Sequence, residues 1–214
     1  MNTRSTFEVL SAGPNSPARW NGSLIRLLQV CRELVSGMNA DIRAGLLPDG
    51  FCARSDNFHH ATFGDLTPDV LAVLNDYPLS LESPFEGVST ISGGVWNAAD
   101  LDGGNDALLK LKFEAGTLDL PFHSHDHSDR VVFVADGAGT FQLATDRAAN
   151  PPELVEVTTG DILIFARQTV HTFATPKRAL TLLSYHSPFV PLDHQGQYTL
   201  HRWLADCQRD NKAT

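Results

Sequence analysis

The chain has 214 residues, 42% of them apolar, and a formal net charge of −9 from 25 acidic against 16 basic side chains. That length suffices for one substantial domain with extensions. The acidity and the lack of any Lys/Arg cluster argue against a nucleic-acid partner, and no run reaches the roughly 18 apolar residues of a membrane span.

The opening stretch, Met1 to Trp20, is polar and carries no apolar signal-peptide core. The three cysteines, Cys31, Cys52 and Cys207, are scattered and odd in number, which suits reduced thiols in a cytoplasmic protein. Helical periodicity comes first. Leu24, Leu27, Leu28, Cys31, Leu34, Val35 and Met38 recur at three- and four-residue steps and form one apolar stripe, with Asn21 or Ser23 as cap and Gly37 near the end. A second, shorter helix is expected to open at Thr67-Pro68, run through Val70, Leu71, Val73 and Leu74, and stop before Pro78. Two such helices do not make a core alone and should pack on the strand-rich remainder of the chain. His59-His60 lack partners at ligand spacing and read as solvated.

Near residue 83 the texture changes to short strands and turns. Leu109, Leu111 and Phe113 alternate with Lys110, Lys112 and Glu114, as in a half-buried strand. Leu120 to His125, Arg130 to Ala135, Phe141 with Leu143, Val155 with Val157, Ile162 to Phe165, Val170 to Ala174 and Leu180 to His186 read as further strands. Asp136-Gly137-Ala138-Gly139 has the composition of a hairpin turn. Gly93-Gly94 and Gly103-Gly104 read as turns, since neither has the lysine and strand-to-helix context of a phosphate loop. Short strands at regular spacing favour a sandwich or barrel. The expected organisation is a helical extension over 1–82, a strand-rich sandwich or barrel over 83–192 and a polar tail over 193–214 with one short helix around Leu200 to Cys207.

The chemistry concentrates in His123-Ser124-His125-Asp126-His127-Ser128-Asp129. Alternate residues of an extended strand share a face, so His123 and His125 can aim imidazole nitrogens at one point, as a divalent metal requires. His171 follows in a separate strand. Asp129 or His127 could supply a fourth ligand, and Arg130 could bind an anion or pair with Asp129. His186 shares a face with Leu180 and Leu182 and reads as a satisfied core residue. No Gly-x-Ser-x-Gly nucleophile elbow occurs.

Gly116, His123, His125 and Gly137, followed by Gly160, Asp161 and His171, resemble the two motifs of the cupin superfamily in the right order, over roughly residues 105–190. Ser184-Tyr185-His186-Ser187-Pro188-Phe189 is similar to the end of many small bacterial cupins. The chain departs from the pattern in places. Ala166 and Gln168 stand where proline and glycine are usual, Thr175 replaces the usual asparagine, and the first motif's glutamate gives way to Asp129 or Arg130, depending on the direction of counting. The resemblance implies a mainly-β fold, a cupin-like antiparallel β-barrel (a double-stranded β-helix or jelly roll) with an N-terminal helical extension. It implies a divalent transition metal, Fe, Zn, Ni or Mn, on His123, His125, His171 and Asp129. It also implies a small-molecule enzyme such as a metal-dependent oxygenase or isomerase, with thiol dioxygenases as a loose analogy for a three-histidine site. A non-catalytic ligand-binding or sensing module is the alternative. The implied partner is a small molecule, with no nucleic acid and no membrane, and a homodimer is plausible.

Overall fold

In the computed structural model, residues 18–48, 52–54, 57–75, 91–98, 103–144, 152–175, 177–191 and 194–201 are described. The apolar stripe near the N-terminus forms α1, Ala18–Arg43. Its periodic residues Leu24, Leu27, Leu28, Cys31, Leu34, Val35 and Met38 are all buried. The helix runs through Gly37 and stops later than its sequence suggests. Gly45 takes the left-handed conformation (φ 70°), and Leu46 N–H reaches the Asp41 carbonyl at 2.9 Å while Gly45 N–H reaches that of Ile42 at 3.0 Å. That is a Schellman closure, which favours a glycine just past the last turn.

The second helix, α2, spans Asn57–Asn75 with Pro68 inside it. Thr67-Pro68 is therefore not its start. The Thr67 hydroxyl donates back to the Phe63 carbonyl at 2.5 Å, so the turn around a proline that lacks an N–H of its own keeps a local hydrogen bond. The side chains of His59 and His60, and everything after residue 201, lie outside the described residues, including the short helix expected around Leu200 to Cys207.

Among the described residues ten strands follow: β1 Cys52–Arg54, β2 Ile91–Asn97, β3 Ala107–Phe113, β4 His123–Ser124, β5 Asp129–Ala144, β6 Glu153–Thr158, β7 Ile162–Phe165, β8 Val170–Ala174, β9 Leu180–Ser187 and β10 Thr199–Leu200. All their pairings are antiparallel. One face runs β1-β7-β5-β9-β3-β2 and the other β10-β4-β8-β5-β6.

Both faces share β5, which corrects the hairpin expected at Asp136–Gly139. The segment is a single 16-residue strand. Asp129 to Gly137 pair mainly with β9, and Ala138 to Ala144 pair with β6 and β8. A bulge between Val134 and Asp136 bends it from one face into the other. Gly137 has φ 90°, and a Cβ there would lie 1.9 Å from the Ala179 carbonyl oxygen. The glycines at this point allow a crossing strand to come close, which a turn does not require. Gly93-Gly94 is likewise strand, inside β2 opposite Lys110 and Leu111. A Cβ on Gly93 would sit 2.0 Å from the Lys110 oxygen.

Two apolar layers result. Ile91, Phe113, Val132, Val134, Phe141, Leu163, Phe165, Phe173 and Leu182 fill the barrel interior. Leu24, Leu28, Cys31 and Val35 of α1, with Phe63 and Val70 of α2, cover the outer face of the first sheet, where Val131, Phe133, Ile162, Leu183 and Tyr185 point. The Phe63 and Phe133 rings stack with centroids 5.3 Å apart. Burial on both faces explains the unbroken apolar run at the start of β5, which reverts to alternation after the bend. Among the described residues no helix is long and apolar enough to cross a membrane.

Candidate metal centre

The centre forms where β4 meets β8. His123 and His171 are direct cross-strand partners, and His125 lies just past β4. Their rings converge, with centroids 4.5 Å apart for His123–His171, 4.9 Å for His123–His125 and 5.5 Å for His125–His171. One ring nitrogen from each lies within 4.8 Å of the other two. Donors about 2.1 Å from a single ion stand roughly 3–4 Å apart, so the trio, within 4.8 Å, could close on one ion with a small inward shift of the rings.

Each imidazole is held from behind by a backbone carbonyl. His123 Nδ1 meets the Pro121 oxygen at 2.9 Å, His125 Nδ1 the Gln197 oxygen at 2.8 Å, and His171 Nδ1 the Thr169 oxygen at 2.9 Å. A carbonyl only accepts, so Nδ1 must donate. That fixes the tautomer and leaves Nε2 as the nitrogen carrying a lone pair.

All three rings are buried. Burial lowers the His171 pKa to about 4, more than offsetting its Thr169 contact. Burial, then the charge of a neighbouring ring or guanidinium, holds His123 and His125 well below the ordinary imidazole value. The rings are neutral near pH 7, the form that ligates a metal.

Asp129 is not part of this group. It lies on the strand face opposite to the cavity, and its carboxylate is taken by other partners. Arg167 Nη2 donates to Oδ2 at 2.8 Å, Arg167 N–H to Oδ1 at 2.8 Å, and Asn39 Nδ2 of α1 to Oδ2 at 2.9 Å. Burial raises its pKa, but these hydrogen bonds outweigh that and hold the carboxyl below its usual range. Asp129 ties α1 to the β7–β8 turn, away from the ring of His171. In that turn Gln168 adopts φ 68°, the conformation for which the motif usually keeps glycine, and its N–H reaches the His125 carbonyl at 3.0 Å. His127 is exposed.

A cavity of about 70 Å³ opens onto the trio, lined otherwise by Arg130, Ser184, His186, Gln197 and apolar side chains such as Leu109, Phe141 and Phe173. Sequence reasoning undervalued His186 and missed Ser184 and Gln197. Ser184 and His186 share a face with Leu180 and Leu182, a period-2 signal that was legible. Gln197 acts through a backbone carbonyl in a loop, for which no side-chain pattern exists. A second buried polar cluster, Asp106 with Arg32 Nε at 2.6 Å, Arg32 Nη2 at 2.7 Å and the Tyr185 hydroxyl at 2.6 Å, anchors α1 to the barrel on the far side.

A curled antiparallel β-barrel with a histidine trio turned into its interior defines the double-stranded β-helix class. Residues 109–185 match the family model Cupin_2, described as Cupin domain, and the chain carries a cupin domain there. No curated protein matches the chain. Among solved structures it is similar to a vicilin from Solanum melongena at 15% identity and TM-score 0.43, over 56% of this chain and 33% of that one. It is also similar to the Fe(II) form of HppE in complex with substrate, at 16% identity and TM-score 0.43, over 52% of this chain and 57% of that one. The third is a recombinant oxalate oxidase in complex with glycolate, at 14% identity and TM-score 0.42, over 57% of this chain and 62% of that one. The chain thus spans less than two thirds of each of these proteins.

Proposed function

We propose that His123, His125 and His171 together hold one divalent transition metal (iron, zinc, nickel or manganese). On this reading the chain is a small-molecule enzyme, an oxygenase or isomerase, working at that site. The observation that carries this is the set of three buried rings whose Nδ1 atoms are each occupied by a backbone carbonyl. Any buried imidazole gains from such a contact, but here the three contacts together turn the remaining lone pairs of three neighbouring rings toward one point. Bound there, a metal supplies Lewis acidity toward a substrate oxygen and, as iron, reactivity with dioxygen.

The chain's own residues do the rest. The carbonyls of Pro121, Thr169 and Gln197 hold ring orientation, and the aromatic walls from Phe113, Phe141 and Phe173 exclude water from the cavity. With Asp129 held by Arg167 and Asn39, three protein ligands leave coordination positions for a substrate. The free, buried thiol of Cys31 fits a cytoplasmic location.

Elemental analysis tests the site. Purified wild-type protein should carry close to one transition metal per chain, and the His123→Ala/His171→Ala variant almost none. Equal content in both removes the proposal. Dioxygen uptake by iron-loaded protein with candidate substrates then separates enzyme from binding module: tight binding without turnover under each of the four metals favours the module.

A further inference from the structure

Arg130 enters the cavity from the inner face of β5 and is only 6% exposed. A guanidinium remains charged inside a protein and carries five donor hydrogens. Of its nitrogens, Nη1 contacts His186 Nε2 at 2.7 Å. Nε and Nη2 are buried without a hydrogen-bond partner, and so is Nδ1 of His186. Nε and Nη2 form one edge of the guanidinium plane, the edge that grips a carboxylate through two parallel hydrogen bonds. Since His186 Nε2 accepts from Arg130, its Nδ1 carries the proton. The unsatisfied atoms are therefore all donors, and they ask for an acceptor.

Among the described residues the cavity supplies none of matching charge. Its lining contains Arg130, four histidines, Ser184 and Gln197 but no Asp or Glu, and the adjacent Asp129 is committed to Arg167 and Asn39 on the other face. Arg130 also stands, counting back from Gly137, where the cupin motif places an acidic residue. The site has exchanged a negative group for a positive one beside three neutral imidazoles. A divalent ion there would add to the positive charge.

We propose that the cavity binds a small organic monocarboxylate, its carboxylate on the Nε–Nη2 edge of Arg130 and its other end toward His123, His125 and His171. The volume of about 70 Å³ is several times the roughly 10–15 Å³ that one water needs, which suits a molecule of a few heavy atoms with an apolar body against Phe141 and Phe173. This names the substrate class of the site proposed above and rests on that reading for the metal. The anion subsite itself stands on Arg130.

The test compares propionate with its neutral isostere propionamide, titrated in chloride-free buffer into metal-free and zinc-loaded protein and followed by calorimetry and thermal midpoint. Propionate should bind at least about tenfold tighter than propionamide and raise the midpoint, as a charge-assisted pair of hydrogen bonds requires. Arg130→Met should abolish the preference while keeping wild-type zinc content. Propionamide binding as well as propionate to the wild type overturns the proposal without needing any variant to fold. So does an Arg130→Met protein, with wild-type circular dichroism, that keeps the preference. Failure of the metal reading looks different: wild-type protein would then take up no zinc yet still prefer propionate. Full zinc uptake with no preference sinks the anion subsite alone.

Discussion

Asp129 and Arg130 are neighbours in sequence that serve opposite faces of one strand. The Asp129 carboxylate meets Asn39 of α1 at 2.9 Å, and the Arg130 guanidinium meets its cross-strand neighbour His186 of β9, on the cavity side of the sheet, at 2.7 Å. The period of two along β5 makes one a strut for the helix layer and the other part of the cavity wall. Removing the strut should therefore cost stability and leave the metal centre alone.

Asp129→Ala should destabilise the protein by about 2 kcal/mol, the scale of losing hydrogen bonds to a charged group when one partner stays half-exposed. Arg167 is 49% exposed at its side chain and can rehydrate, which keeps the loss below that of a fully buried pair. Urea unfolding measures the cost, and metal content measured alongside should match wild type. A metal-depleted but fully folded Asp129→Ala protein would show the carboxylate to be a ligand after all.

The metal-free protein should lose stability as pH falls below about 6.5. His123, His125, His171 and His186 have folded pKa values depressed chiefly by burial, that of His171 to about 4. Between those values and the unfolded ~6.5, the unfolded chain binds protons that the folded one refuses. Stability is thus full above the unfolded value and declines as pH drops through the window down to about 4. His171 alone accounts for about 3 kcal/mol of this, at about 1.4 kcal/mol per pKa unit. Thermal midpoints recorded from about pH 8 to about pH 4 check it; a flat curve across the upper half of that window would contradict the burial of neutral rings.

Gln168→Gly should stabilise the fold by about 1 kcal/mol. A side chain at φ 68° bears the left-handed penalty of roughly 1–2 kcal/mol, partly offset by the greater freedom of glycine in the unfolded chain. Denaturant midpoints read the difference. Because it is the backbone N–H of Gln168 that holds the His125 carbonyl, metal affinity should be unchanged.

Gly137→Ala should cost more than about 2 kcal/mol or prevent folding. Both the positive φ and the approach of the Ala179 oxygen to 1.9 Å from the new Cβ oppose it, and backbone on both sides leaves no flexible side chain to yield. Soluble yield and midpoint temperature, with Gly160→Ala as a control at a similar φ but in open space, separate crowding from conformational strain.

The strand texture, the helical stripe and the His123/His125 pair were legible before any folding, because each depends on periodicity, while the barrel and the place of His171 were implied by the resemblance of the two motifs. Leu24 to Met38 recur every three or four residues, and His123 and His125 every second, so their faces follow from chain geometry alone. Contacts between remote segments had to wait for the folded molecule. Nothing local distinguishes a glycine that turns a hairpin from one that lets a strand cross, so Gly137 was legible as special but not as a bend. Nothing local tells on which face β5 begins, so Asp129 and Arg130 were interchangeable until α1 covered one face of the sheet and the cavity formed on the other. The Gln197 carbonyl that orients His125 has no signature of its own, since every residue carries one and only folding chooses which is used.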